Sequence, residues 1–112
     1  MEYRQISEDY SVSPQITPEE VADIKKAGFK SVICNRPDDE QPGQPSADSV
    51  RAAVEAAGLE FRFVPVISGQ MTMANVEDMS KALDELPAPV FAYCRSGTRC
   101  TNLYAAVQQM KG

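Results

Sequence analysis

Short apolar runs alternate with helical apolar stripes along this chain, and glycine or proline stands at most of the boundaries between them. This alternation constrains the fold more than any other feature, because strand–helix–strand successions lead to a parallel sheet covered by helices. Tyr3–Ile6 and Tyr10–Ser13 read as two short strand-like pieces forming a hairpin. Thr17-Pro18-Glu19-Glu20 supplies an N-cap, a proline at the first helical position and a capping-box glutamate. Val21 and Ile24 face inward on that helix, and Gly28 ends it. Ser31-Val32-Ile33-Cys34 is a short buried strand, and the proline- and charge-rich stretch Asn35 to Gln44 is a polar loop. Ser46 caps a helix whose Val50, Ala53, Val54 and Ala57 share one face, and Gly58 stops it. Phe61–Val66 is the next strand, Ile67 to Thr72 a connection, and Val76, Met79, Leu83 and Leu86 a third helical stripe. Pro87 and Pro89 end that helix before the strand Val90-Phe91-Ala92-Tyr93, which runs directly into Cys94. A final helix carries Leu103, Ala106, Val107 and Met110 on one face.

The order β-β-α-β-α-β-α-β-α predicts a single α/β domain over residues 1–112, with a mostly parallel central sheet and helices on both faces. A chain of 112 residues has no room for a second core of useful size. The apolar stripes and the methionines are read as core.

Net charge is −5, which argues against nucleic-acid or anionic-membrane partners. Against that background Arg95 and Arg99 lie in a stretch without an acid from Pro87 to Gly112, so one spot is locally positive. The chain has no histidine, which excludes Ser–His and Cys–His pairs and the commonest zinc ligand. Its three cysteines, Cys34, Cys94 and Cys100, have neither disulfide-scaffold nor zinc-site spacing, and no metal or cofactor is expected. The opening residues lack the apolar run of a signal peptide and no segment approaches membrane-spanning length, so the expectation is a cytoplasmic protein with reduced thiols.

Chemistry concentrates at Cys94. In an open parallel sheet, ligands bind beyond the carboxyl ends of the strands, and Cys94 lies there with a helix starting just after it. Ser96-Gly97-Thr98 is a small-residue stretch able to curl its backbone N–H groups inward, with Gly97 permitting a positive φ. Such a nest at a helix N-terminus binds anions and lowers the pKa of a cysteine. Arg99, in the first helical turn, adds a forked contact to two substrate oxygens, and Arg95 is either a further anion contact or a solvated side chain. Cys94 and Arg99 are therefore the candidate catalytic pair, with Arg95, Ser96, Gly97 and Thr98 as the anion-binding loop. Cys100 is either a helix-face thiol or a resolving cysteine, and Cys34 belongs to the core. Arg36 is placed to add charge to the site.

Cys94 to Arg99, together with Asn35-Arg36-Pro37-Asp38-Asp39-Glu40 and Ile16-Thr17-Pro18-Glu19-Glu20, resembles the beta-lactamase-hydrolase-like protein, phosphatase-like domain family. The resemblance spans nearly the whole chain and implies a fold of the protein-tyrosine-phosphatase type. Two departures bear on activity. Phosphatases of this fold usually show His-Cys, five residues and then Arg; here Tyr93 precedes Cys94 and four residues separate it from Arg99, a spacing similar to rhodaneses. Their usual general-acid aspartate follows the fourth strand, where this chain has Ile67-Ser68-Gly69-Gln70-Met71-Thr72 and no acid before Glu77. Asp38 is the best substitute acid. The expectation is thus a sulfurtransferase moving sulfane sulfur from a small anionic donor to a thiol acceptor through a Cys94 persulfide. The alternatives are a phosphatase acting on a phosphoester through a phosphocysteine, and a non-catalytic module that binds an anion or a phosphoprotein.

Overall fold

The computed structural model describes all residues from 1 to 112. Five strands, β1 (Arg4–Ser7), β2 (Tyr10–Ser13), β3 (Ser31–Cys34), β4 (Glu60–Phe63) and β5 (Val90–Tyr93), form one sheet in the order β1-β2-β5-β3-β4. β1 and β2 make the expected antiparallel hairpin, and every other pairing is parallel. The helices are α1 (Val21–Lys26), α2 (Ala47–Ala56), α3 (Met73–Glu85) and α4 (Thr98–Lys111), with a 3-10 turn at Pro18–Glu20 leading into α1. The Thr17 to Glu20 capping box is present, and the Ser46 hydroxyl accepts the Ser49 amide at the start of α2.

Alternation along the central strands separates two cores. Val32, Cys34, Phe91 and Tyr93 pack with Val21, Ile24, Val50 and Val54 of α1 and α2. Ile33, Val90, Ala92 and Cys94 pack with Met79, Ala82, Leu103 and Val107 of α3 and α4. Strands buried on both faces read as continuous apolar runs, as β3 and β5 do. The fold is the expected α/β domain with helices on both faces.

Three local readings are corrected. The fourth strand ends at Phe63 instead of Val66. The chain stays extended, with the Val64 and Val66 amides donating to the Cys34 and Asn35 carbonyls, but Pro65 between them has no N–H with which to continue a regular ladder. Met110 is exposed, as is the whole last turn of α4 after the buried Val107. Of the five methionines only Met79 is buried; Met71 and Met73 flank the solvent-facing start of α3. No helix is long and apolar enough to cross a membrane.

The burial difference along α4 yields a stability test. Leu103→Ala, at a fully buried site, is expected to cost about 2–5 kcal/mol in a denaturant melt. Met110→Ala is expected to stay within about 0.5 kcal/mol.

Candidate active site

β5 occupies the centre of the sheet between β2 and β3, and its carboxyl end delivers Cys94 to the rim. The following loop is fastened to the end of β2. The Cys94 amide donates to the Ser13 carbonyl (3.3 Å) and the Gln15 amide to the Arg95 carbonyl (3.3 Å). Gly97 has φ 91° and caps α4. A Cβ there would sit in ordinary contact with the Ser13 backbone at 3.5 Å but would be forced into left-handed space, so glycine is required for the backbone conformation and not for room. The Gly97 N–H points back and donates to Cys94 Sγ at 3.0 Å.

That environment sets the state of the sulfur. The neighbouring Cys100 thiol does most to stabilise the Cys94 thiolate, followed by the backbone amides of Cys100, Ser96 and Gly97, and together they overcome burial and lower the Cys94 pKa to about 5. Of these donors the Gly97 amide makes the hydrogen bond of regular geometry. Cys100 itself is fully enclosed, and burial pushes its thiol well up, so it stays protonated beside the thiolate. Burial likewise raises Cys34, whose thiol donates to the Arg36 carbonyl on the opposite face of the sheet. Cys94 lies beneath the loop with no surface of its own exposed.

Above the loop opens a cavity of about 700 Å³, lined by Arg95, Ser96, Thr98 and Arg99 and, from the β3–α2 loop, by Arg36 and Glu40. Glu40 organises its cationic wall. Its Oε2 accepts Arg99 Nη1 at 2.8 Å, and its Oε1 accepts Arg99 Nη2 at 2.9 Å and Arg36 Nε at 2.8 Å. Arg99 Nη1 also donates to the Val66 carbonyl (2.9 Å), whereas its Nε–H has no partner in the protein and faces no competitor for an anion. Arg36, only 3% exposed, fixes its other nitrogens on Gln15 Oε1 and Gln41 Oε1. The two arginines hold the Glu40 carboxyl down at about 2, with Arg99 the larger influence.

The structure thus gathers Cys94, Arg95, Ser96, Gly97, Thr98, Arg99 and Cys100 around one loop and brings Arg36 to its edge. Asp38, expected as the substitute acid, is not among them. Its Oδ1 accepts the Ala47 amide at 2.7 Å, at the start of α2, and it does not line the cavity. Sequence reasoning also missed the part played by Glu40, treated there as one charge of a polar loop, and the cavity residues Gln41, Ser68 and Asn102. Asn102 was open to discovery, since it stands three residues after Arg99 on the same side of a helix. No group of three or more Cys, Asp or Glu side chains is arranged to hold a metal ion.

Comparison with known proteins identifies the family and the fold. The model of the beta-lactamase hydrolase-like protein, phosphatase-like domain family matches residues 2–111. The chain belongs to that family. A beta-lactamase hydrolase-like protein of Xylella fastidiosa is 36% identical over 107 residues, covering 96% of this chain and 25% of the relative. The chain therefore spans about a quarter of the length of the curated relatives it matches. A candidate phosphatase of Neisseria meningitidis Z2491, solved by crystallography, is 35% identical with a TM-score of 0.83 over 90% of this chain and 72% of its own. Tk-PTP, at 17% identity, superposes with a TM-score of 0.67 over 95% of this chain and 78% of its own, a likeness of fold. The fold is of the protein-tyrosine-phosphatase type.

Two measurements check the site. All three cysteines are buried, so alkylation by iodoacetamide is expected to separate them by ionisation, labelling Cys94 first with a rate that rises through an apparent pKa near 5 and Cys34 and Cys100, whose thiols are pushed up, far more slowly. Glu40→Gln is expected to destabilise the domain by about 1–3 kcal/mol at neutral pH, because it strips the buried Arg36 of its counter-charge. The folded Glu40 pKa lies below its ordinary 4.5, so its stabilisation is complete above that pH and is lost as pH falls toward 2. The acid limb of a stability–pH profile should flatten accordingly in the variant.

Proposed function

We propose that this domain is a cysteine-dependent phosphatase that works through a phosphocysteine on Cys94. The observation carrying this reading is the Cys94 sulfur, held as a thiolate by the Cys100 thiol and by backbone amides at the start of α4, at the foot of a cavity that Arg99 lines. The thiolate attacks phosphorus, an S–P bond forms, and the ester oxygen leaves with the bonding pair. The loop amides and Arg99 take the charge that builds on the equatorial oxygens, a role that fixed donors perform without reorganising. Water then attacks phosphorus, the S–P bond breaks, and phosphate leaves with the thiolate restored. Membership of a phosphatase-like family and the likeness to the Neisseria protein support phosphoryl over sulfur transfer.

The leaving oxygen receives little help. Glu40, the one carboxylate lining the cavity, is ionised and accepts from both arginines, and Asp38 is engaged elsewhere. The same shortage, with the four-residue spacing, is the specific observation favouring a second reading, in which the Cys94 thiolate attacks the outer sulfur of thiosulfate, the S–S bond breaks with release of sulfite, and the persulfide formed passes its outer sulfur to an external thiol. Cys100, enclosed beside Cys94, would belong to that route as an internal resolving thiol.

Hydrolysis of para-nitrophenyl phosphate, compared with sulfur transfer from thiosulfate to cyanide, decides between them. The expected result is hydrolysis that Cys94→Ser abolishes and that falls by about a hundredfold or more for phenyl phosphate, whose leaving group needs a proton. Faster sulfur transfer than hydrolysis would give the site to the second reading. Absence of both activities from the unaltered chain would leave an anion-binding module.

A further inference from the structure

The walls of the cavity say what kind of phosphate it takes. No aliphatic or aromatic side chain lines it, although pockets for drug-sized ligands are ordinarily lined mostly by apolar groups. Ile67 and Met71 are exposed in the adjoining loop, yet only Ser68 and Gly69 of that loop reach the cavity. A phosphotyrosine ring entering here would meet hydroxyls, amides and guanidinium groups, and would bury their polar surface without satisfying it.

The cavity also has unspent donors. Arg36, Arg95 and Arg99 against Glu40 leave its lining positive by two charges, on a protein of net charge −5. Arg36 and Arg99 are tied to Glu40, but Arg95 is exposed and its side chain enters no ion pair. The Asn102 amide and Gln41 Nε2 are likewise free of protein partners, Gln41 accepting through Oε1 alone. One phosphoryl group in the Cys94 loop would leave all three unused.

We infer that the substrate is a small hydrophilic phosphoanhydride, whose terminal phosphoryl group seats on the Cys94 loop while the departing phosphate is held by Arg95 and the amides of Gln41 and Asn102. This rests on the phosphatase reading and supplies what that reading lacks. Cys94 Sγ bonds to the terminal phosphorus, the bridging P–O bond breaks, and its electron pair stays on an oxygen of the departing phosphate. That oxygen is already stable as an anion, so no protein acid has to protonate it. Arg95 offsets the charge as it develops, and hydrolysis of the S–P bond by water completes two phosphates from one anhydride and one water.

The test compares inorganic pyrophosphate, para-nitrophenyl phosphate and glycerol phosphate with the full chain and with Arg95→Gln. The expected kcat/KM for pyrophosphate is at least about tenfold above that for the aryl ester, with glycerol phosphate far below both. Arg95→Gln is expected to lower the pyrophosphate-to-aryl ratio by about tenfold, the size of one charge-assisted contact. A ratio unmoved by the substitution, or glycerol phosphate turned over as readily as pyrophosphate, overturns the inference. A binding arm is independent of turnover. Cys94→Ser titrated with methylenebisphosphonate and with inorganic phosphate should prefer the bisphosphonate by about tenfold, and the added Arg95→Gln should erase that preference. Equal binding of the two probes refutes the anhydride even if aryl hydrolysis is confirmed. Conversely, absence of Cys94-dependent hydrolysis with the preference intact refutes the phosphatase reading alone.

Discussion

A strand hydrogen-bonded along both edges and covered on both faces has nowhere to shift, and β5 is such a strand. β2 and β3 pair with it in parallel through all four of its residues, and all four are buried, with alternate side chains entering opposite cores. Everything at its carboxyl end inherits that fixity. Cys94 is the next residue, its amide still bonded to the end of β2, and three residues later the left-handed Gly97 turns the chain into α4. The nest of amides is therefore set by the sheet before any ligand arrives, which is the condition for electrostatic stabilisation without reorganisation.

The charge arrangement solves a different problem. Two arginines lining one cavity repel each other and, for Arg36, suffer burial that an isolated cation does not tolerate. Glu40 settles both by bridging them, one oxygen shared and the other given to Arg99 alone. The arrangement fixes the Arg99 guanidinium through both Nη atoms and leaves its Nε–H without a protein partner. A carboxylate so engaged is a poor proton donor, and the need to position cations has been met at the expense of acid catalysis.

How much of this the sequence disclosed depended on sequence distance. The strand–Cys94–loop–Arg99 unit is local, so its spacing and its terminal glycine revealed strand, turn and helix cap together. The alternation of β3 and β5 with helical stripes likewise carried the parallel sheet and its two helical layers. The Glu40–Arg99 pair joins residues 59 apart in the chain, and no local pattern separates Glu40 from its neighbours Asp38 and Asp39. Asp38 attracted attention as an acid at the end of a strand, but an aspartate ahead of a helix is equally a partner for that helix's first amides, which is the role it takes. At Pro65 the apolar run said strand while the missing N–H said otherwise, and the regular ladder stopped at Phe63, two residues ahead of the proline.

On the proposed phosphatase reading, the low pKa of Cys94 would bear on both halves of the phosphoryl transfer. A thiolate so stabilised is present at neutral pH, although nucleophilicity declines with basicity, with a slope of about 0.4–0.5 for thiolates attacking sulfur. The weaker nucleophile is the better leaving group, so the S–P bond it forms is one that water cleaves readily. The Cys100 thiol, kept neutral by its burial, favours the anion both before attack and after release. What the loop cannot do is favour an alkoxide on the other side of phosphorus, since its donors surround the sulfur and the equatorial oxygens. On the proposed phosphatase reading, a site built in this way would discriminate among substrates by the stability of the group that departs, and would favour those whose leaving oxygen carries its own charge without a proton from the protein.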